Sequence, residues 1–324
     1  MNTTSGSVIT SVNLAESPLQ RLHSSFLENT GITLYVKRDD LIHPLFGGNK
    51  WRKLKYNLNA ARETACDTLL TFGGAWSNHI YATAAAGNFF GFNTVGFIRG
   101  EKHSPLNPTL AFAEQSGMQL HYVDRKTYRN KNNSHYLDNL KKEFSNTYIL
   151  PEGGSNLLAL EGCKEIVTEI NSKLDKPFDV ICCASGTGAT LAGLIAAMNT
   201  RENQHPQTAI GFSALKGGAF LAGDVKKFLQ QTNHCTTNEA TDTDWYIEDQ
   251  FHFGGYARVN GQLIQFIQEF KSEYGIMLDA IYTAKMFYGL FELIKNRTFS
   301  PGTTIVAVHS GGLQGNKGFN LPIT

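Results

Sequence analysis

Cysteine is scarce in this chain, with five in 324 residues: Cys66, Cys163, Cys182, Cys183 and Cys235. So small and odd a set, lying mostly in apolar runs, excludes a disulfide-stapled secreted fold and reads as reduced, buried thiols in a reducing compartment. Long apolar runs are missing too. No stretch approaches the roughly 18 to 20 residues of a membrane span, and residues 1–14 lack the basic start and apolar run of a signal peptide. A cytoplasmic location is expected. An excess of one charge is also absent, since 29 Lys+Arg against 28 Asp+Glu leave a formal net charge of +1. That is too little field to recruit nucleic acid or an anionic membrane, so small molecules are the expected partners. His-Glu-x-x-His, Cys-x-x-Cys and Gly-x-Ser-x-Gly do not occur, which removes support from zinc hydrolases and α/β-hydrolases, and no metal is expected. The ten histidines are scattered; only His79 and His309 fall in glycine loops, and a satisfied structural role is expected for each.

What is present suits an ordinary globular enzyme. A chain that is 41% hydrophobic and 18% charged can bury one large core or two modest ones. Short apolar, β-branched runs predict strands over 32–37, 68–72, 94–98, 119–123, 148–150, 180–184, 209–214 and 304–309. Amphipathic segments predict helices over 51–64, 78–88, 108–116, 157–171, 189–198, 219–230, 261–274 and 284–295. Their alternation predicts an α/β fold of parallel sheets wrapped by helices, because right-handed crossovers place a helix between neighbouring parallel strands. The Asn-, Thr- and Asp-rich stretches 125–134 and 231–244 read as surface loops.

The 31 glycines gather where strands give way to helices. The clusters are Gly47-Gly48-Asn49-Lys50, Gly73-Gly74 before Ser77-Asn78-His79, Gly153-Gly154-Ser155-Asn156, Ser185-Gly186-Thr187-Gly188-Ala189-Thr190, and Ser310-Gly311-Gly312. Ligands of open α/β sheets bind outside the carboxyl ends of the strands, where helix N-termini offer free N–H groups to anions. Any one loop could be a mere turn, but the set points to one anion-binding pocket. The turn 185–190 is the phosphate candidate. It fails the dinucleotide fingerprint, with Leu191 at the third glycine position, and lacks the Gly-Lys-Ser/Thr of a P-loop, so a monophosphate fits it best. Lys50, Arg52, Lys53 and Lys55 crowd four cations into the start of one helix, against its dipole, and need an anionic compensation. The same positive field, with burial, would lower one lysine's pKa, as a lysine that bonds to an aldehyde requires; a basic solvated face is the competing reading.

These residues carry a resemblance. Val36-Lys37-Arg38-Asp39-Asp40, then Gly47-Gly48-Asn49-Lys50 with Arg52-Lys53-Leu54, resembles the cofactor-lysine region of the 1-aminocyclopropane-1-carboxylate deaminase and D-cysteine desulfhydrase family. That family belongs to the tryptophan synthase β-like, fold type II, pyridoxal-phosphate enzymes. The likeness continues in the family's order through 74–79, 153–156, 185–193, 282–286 and 309–312, so it spans nearly the whole chain. It implies pyridoxal 5'-phosphate held covalently by Lys50, which also shuttles the substrate's α-proton. It implies that Asn78 bonds the cofactor's phenolic oxygen. The turn from Ser185 through Gly186, Thr187, Gly188, Ala189 and Thr190 would grip the phosphate, with charge support from Lys53. Ser77, Asn78 and His79 would present N–H groups to the substrate carboxylate, and Tyr256 and Tyr282 would line the substrate side of the ring. Two open α/β domains are implied: a large one from 1–50 and 159–324, and a small one over 51–158, with the cofactor in the cleft. A homodimer is expected from the family.

By the same resemblance, Thr283 occupies the place that contacts the pyridine nitrogen, where the deaminases carry glutamate and the desulfhydrases a hydroxyl residue. Threonine leaves the ring neutral, which suffices when the leaving group is as good as a thiolate. Ser310 agrees, since the desulfhydrases place a hydroxyl there and the deaminases leucine. The resulting expectation is β-elimination from a small amino acid, D-cysteine yielding pyruvate, ammonia and sulfide. The alternatives are a deaminase making 2-oxobutyrate and ammonia, and a non-catalytic binder of the cofactor or of a phosphometabolite. Ile80-Tyr81-Ala82 departs from the arginine and glutamine common in desulfhydrases and bears on the substrate.

Overall fold

The computed structural model describes residues 14–199, 205–232 and 243–322. Cys235 and nearly all of the 1–14 segment lie outside the described residues. In chain order the elements are β1 (Leu19–Arg21), α1 (Ser25–Thr30), β2 (Thr33–Lys37), α2 (Asn49–Glu63), β3 (Thr68–Gly73), α3 (Asn78–Phe90), β4 (Asn93–Arg99), α4 (Pro108–Gln115), β5 (Met118–Val123), α5 (Arg125–Tyr128), α6 (Ser134–Glu143) and β6 (Thr147–Leu150). Then come α7 (Leu157–Asn171), β7 (Val180–Ser185), α8 (Ala189–Met198), β8 (Gln207–Ser213), α9 (Leu221–Gln231), β9 (Thr243–Glu248), α10 (Gly261–Tyr274), α11 (Thr283–Lys295) and β10 (Thr304–Val308).

The strands form a six-stranded sheet in the order β1-β2-β10-β7-β8-β9 and a four-stranded sheet in the order β5-β4-β3-β6. Every pairing is parallel except that of β1 with β2. This is the expected α/β architecture of the fold type II enzymes. The central strand β7, Val-Ile-Cys-Cys-Ala-Ser, is buried along its whole length, as a parallel strand covered on both faces must be. Ile181 and Cys183 pack toward α7 and α8, whereas Cys182 and Ala184 pack toward α10 and α11. The small sheet is covered by α2 and α3 through Trp51, Leu54, Leu58 and Ala86, and on its other face through Tyr128 and Leu140. Cys163, Cys182 and Cys183 are free and buried, and Cys66 is free and half-buried.

The prediction of surface loops needs correcting in two places. Within 125–134 the chain turns helical because the Asp124 carboxylate caps α5, accepting from Lys126 N at 2.7 Å and Thr127 N at 3.0 Å. In 231–244, α9 runs to Gln231, residues 233–242 lie outside the described residues, and Asp244 belongs to β9, which extends the large sheet beside β8. The strands β1 and β9 and the helices α1 and α6 were not foreseen.

Candidate active site

Lys50 is the second residue of α2, and its helix starts where two loops press together. Gly48 sits at φ 68°, and a Cβ there would stand 2.0 Å from Ser310 O, so only glycine admits the contact. Asn49 N donates to that same carbonyl at 3.3 Å, tying the start of α2 to the loop after β10.

Of the four cations at the start of α2, Arg52 and Lys55 share Glu165, while Lys53 and Lys50 take other partners. Arg52 is buried and grips Asp39 through Nε (3.0 Å) and Nη2 (2.9 Å), and Glu169 through Nη1 (2.5 Å) and Nη2 (2.7 Å). Lys55 pairs with Glu165. These carboxylates from β2's end and from α7 supply the expected compensation. Lys53 turns to Gly153 O (3.1 Å), Ser155 Oγ (3.3 Å) and Thr187 Oγ1 (3.4 Å), joining the 153–155 loop to the 185–190 turn. Lys50 donates to Asn49 Oδ1 at 3.1 Å and, among the described residues, makes no ion pair with a carboxylate. Burial, reinforced by the Lys53 ammonium, lowers Lys50 from 10.5 to about 7 against a weaker pull from Cys163 and Asp279.

A cavity of about 530 Å³ brings together Lys50, Lys53, Ser77, Asn78, His79, Ser185, Gly186, Thr187, Gly188, Thr190, Tyr256, Tyr282 and Ser310. All but two of the residues to which the resemblance gives a role at the site therefore line one cavity. Ala189 stands just behind it as the first residue of α8, and Thr283 lies behind it on α11.

Two helix N-termini open onto this cavity. That of α8 has Gly188 as its cap residue and no side-chain cap, so its first N–H groups are free for an anion. That of α3 is capped by Ser77, whose Oγ accepts from Ile80 N at 3.2 Å, leaving Asn78 and His79 in the first turn. Gln314 Nε2 donates to Asn78 Oδ1 at 2.8 Å and fixes the amide with its NH2 as the remaining donor. Gln314 was not foreseen, because nothing local in the sequence distinguishes it.

The two glycine-loop histidines differ. His309 is fully used: Nε2 donates to Met277 O at 2.7 Å and Nδ1 accepts from Gly311 N at 3.2 Å. His79 is buried with Nε2 2.9 Å from Thr71 Oγ1, whose own proton goes to Leu150 O at 2.9 Å. His79 Nε2 must therefore carry the hydrogen, which leaves Nδ1 a bare acceptor with no partner among the described residues. Burial, with Lys50 and Lys53 adding to it, holds its pKa well below 6.5, so the ring is neutral.

Tyr256 and Tyr282 meet edge to face, with ring centroids 6.0 Å apart. Burial pushes Tyr256 up to about 12 and Tyr282 well above its ordinary value, so both keep their protons at neutral pH. Thr283 is turned away. Its hydroxyl donates to Asp279 Oδ2 at 2.7 Å and accepts from Asp279 N at 2.9 Å. Asp279 also accepts from the N–H groups of Ile281, Tyr282 and Thr283, bracing the start of α11 from the turn before it. This buried carboxylate, like Gln314, went unnoticed in the sequence. Its one signal is a lone acid in the apolar run Ile276-Met277-Leu278-Asp279-Ala280-Ile281.

The donor set fits pyridoxal phosphate. A free helix N-terminus, the hydroxyl of Thr190 and the Lys53 ammonium suit a phosphate, and an amine brought to about 7 suits an aldehyde. Among the described residues there is no cluster of His, Cys, Asp and Glu able to hold a metal, and no helix is long and apolar enough to cross a membrane.

Comparison with known proteins agrees with the geometry. A family model described as pyridoxal-phosphate dependent enzyme matches residues 11–311. A Thermotoga maritima protein provisionally named 1-aminocyclopropane-1-carboxylate deaminase is 32% identical over 308 residues, 94% of this chain and 96% of its own length. The bifunctional mitochondrial D-cysteine desulfhydrase/1-aminocyclopropane-1-carboxylate deaminase of Arabidopsis thaliana is 30% identical over 92% of this chain and 77% of its own length. A solved structure described as an ACC deaminase homologue superposes with a TM-score of 0.79 at 26% identity, covering 98% of this chain and 97% of that one.

Proposed function

Because the chain belongs to the pyridoxal-phosphate-dependent enzymes, in the family of 1-aminocyclopropane-1-carboxylate deaminase and D-cysteine desulfhydrase, we propose that it eliminates the β-substituent of a small amino acid, D-cysteine giving pyruvate, ammonia and sulfide. The observation that carries this reading is Lys50: an amine lowered to about 7, without an ion-pair partner among the described residues, in the same cavity as the open N-terminus of α8.

Bound pyridoxal phosphate supplies an electron sink for the charge that develops on the substrate's α-carbon. Lys50 holds the cofactor and then, as a neutral amine, takes the α-proton. Lys53 and the turn from Ser185 through Gly186, Thr187 and Gly188 into the start of α8 at Ala189 and Thr190 hold the phosphate. Asn78, oriented by Gln314, donates to the cofactor ring's oxygen. The first turn of α3, at Ser77, Asn78 and His79, receives the substrate carboxylate. Tyr256 and Tyr282, both protonated, face the β-substituent as donors. Water then completes the conversion of the eliminated fragment to pyruvate and ammonia. The protein works in the cytoplasm as a homodimer, with the cofactor between a large domain (1–50 and 159–324) and a small one (51–158).

Tyr282 and Ser310 line the cavity with hydroxyls, which favours a good leaving group. The second reading, deamination of 1-aminocyclopropane-1-carboxylate, is favoured by the relatives' names and by Asp279 lying one side chain behind Thr283. Incubating the loaded enzyme with D-cysteine, L-cysteine and 1-aminocyclopropane-1-carboxylate and identifying the keto acid separates them. Pyruvate and sulfide from D-cysteine is the expected result; 2-oxobutyrate alone overturns it in favour of the second reading, and no keto acid from any amino acid leaves only a binding protein.

A further inference from the structure

Lys285 is a buried lysine that the reaction does not use. It lies on α11 one turn after Tyr282, is 1% exposed, and does not line the cavity. Its Nζ donates to Gly255 O at 2.7 Å. An ammonium taken out of water to meet a neutral carbonyl is a net cost that an apolar side chain would not incur. The hydrogen bond must therefore serve something beyond packing.

Gly255 immediately precedes Tyr256, in a turn of unusual backbone. Phe253, Gly254, Gly255 and Ala257 have φ of 52°, 92°, 115° and 53°. Left-handed conformations at Phe253 and Ala257 persist only where the surroundings over-determine them. Inside the turn, Gly255 N donates to His252 O at 3.0 Å and Gly254 N to His252 Nδ1 at 2.9 Å. The Gly255 carbonyl accepts from Arg258 N at 3.1 Å and from Lys285. Lys285 thus gives this turn a hydrogen bond from α11, beside the packing of Phe253 on Tyr288 of the same helix, which also presents Tyr282. One helix carries one tyrosine and braces the other.

We propose that Lys285 is a positioning residue: by holding the Gly255 carbonyl it fixes the Tyr256 hydroxyl against Tyr282 at the substrate side of the cavity. This rests on the cavity being the reaction site. Burial lowers Lys285 to about 8, while Asp279, from the turn before α11, favours the ammonium, so the charged donor prevails at neutral pH.

The test combines hydrogen exchange with kinetics on the cofactor-loaded enzyme. In Lys285→Met, amide exchange over 252–258 should quicken by about tenfold, and Lys285→Arg, which keeps a charged donor, should restore most of the protection. On D-cysteine, kcat should fall with KM little changed. In a Tyr256→Phe background the same substitution should cost no more than about twofold further, because the residue acts through Tyr256. Unchanged exchange over 252–258, or a kinetic loss undiminished by Tyr256→Phe, overturns the proposal. If the parent makes no keto acid from any amino acid, the reaction reading fails instead, and the exchange comparison alone decides the brace. Should Lys285→Met not fold, Lys285→Gln, which keeps a donor without charge, takes its place in both arms.

Discussion

The Thr283 hydroxyl is 2.7 Å from Asp279 Oδ2 and accepts from Asp279 N at 2.9 Å, so both its proton and a lone pair are occupied inside the start of α11. The residue that the family resemblance places beside the pyridine nitrogen is, in this chain, committed to a buried carboxylate.

Thr283→Glu should therefore harm folding before it alters chemistry. A second carboxylate against Asp279, both buried, should cost about 3 kcal/mol or more. A lowered denaturant midpoint with unchanged slope is the expected result; Thr283→Ser should stay within about 1 kcal/mol of the parent, since it keeps both hydrogen bonds.

Gly48 permits the approach of the 310 loop to α2. Gly48→Ala places a methyl 2.0 Å from a backbone oxygen at a φ of 68°, and no flexible side chain can yield. Thermal melting should show a loss of about 2 to 4 kcal/mol, and pyridoxal phosphate should bind at least about tenfold more weakly, because the same residues carry Lys50 and Ser310.

Arg52 draws the buried Asp39 carboxylate against the cationic start of α2. Arg52→Leu leaves Asp39 buried without its guanidinium and should destabilise by about 3 to 5 kcal/mol. Urea unfolding of the variant, compared with Lys55→Leu at the better-hydrated Glu165 pair, should show the Arg52 loss as the larger.

Lys50 sets a pH dependence whose sign is fixed. Its folded pKa, about 7, lies below the 10.5 of an ordinary lysine, so between those values the unfolded chain binds the extra proton. This group's contribution to stability therefore rises with pH over that window, and its capture of an aldehyde accelerates as pH passes 7. In the cofactor-free protein, the rate of pyridoxal-phosphate uptake should climb between pH 6 and 8 by about tenfold, and the Lys50→Met variant should lack the stability gain above pH 7.

Much of the fold was legible where burial is continuous. The strands β2 to β8 and β10 announce themselves as short apolar runs between glycine turns, and β7 is buried at every position. Edges were harder. In β9, Thr-Asp-Trp-Tyr-Ile-Glu pairs on one side only and alternates burial, and β1 is three residues long, so neither produces an apolar run. Helix α6, Ser-His-Tyr-Leu-Asp-Asn-Leu-Lys-Lys-Glu, buries only Leu140 fully, and its polar surface resembles a loop. The site was legible through its glycine turns and its cation cluster. Asp279, Gln314 and Lys285 were not, because their partners lie on other elements and only a contact in space gives them meaning. The lone charges inside the apolar runs 276–281 and 284–287 were the available clue.

The central claim is that Lys50 alone among the lysines bonds to the cofactor's aldehyde. Borohydride reduction of the pyridoxal-phosphate-loaded protein, followed by peptide mapping, tests it directly. The expected result is a visible absorption band lost on reduction, with the label on Lys50 and absent in Lys50→Ala. A label on Lys53 or elsewhere, or a colourless protein whose Lys50→Ala variant matches the parent, would contradict it.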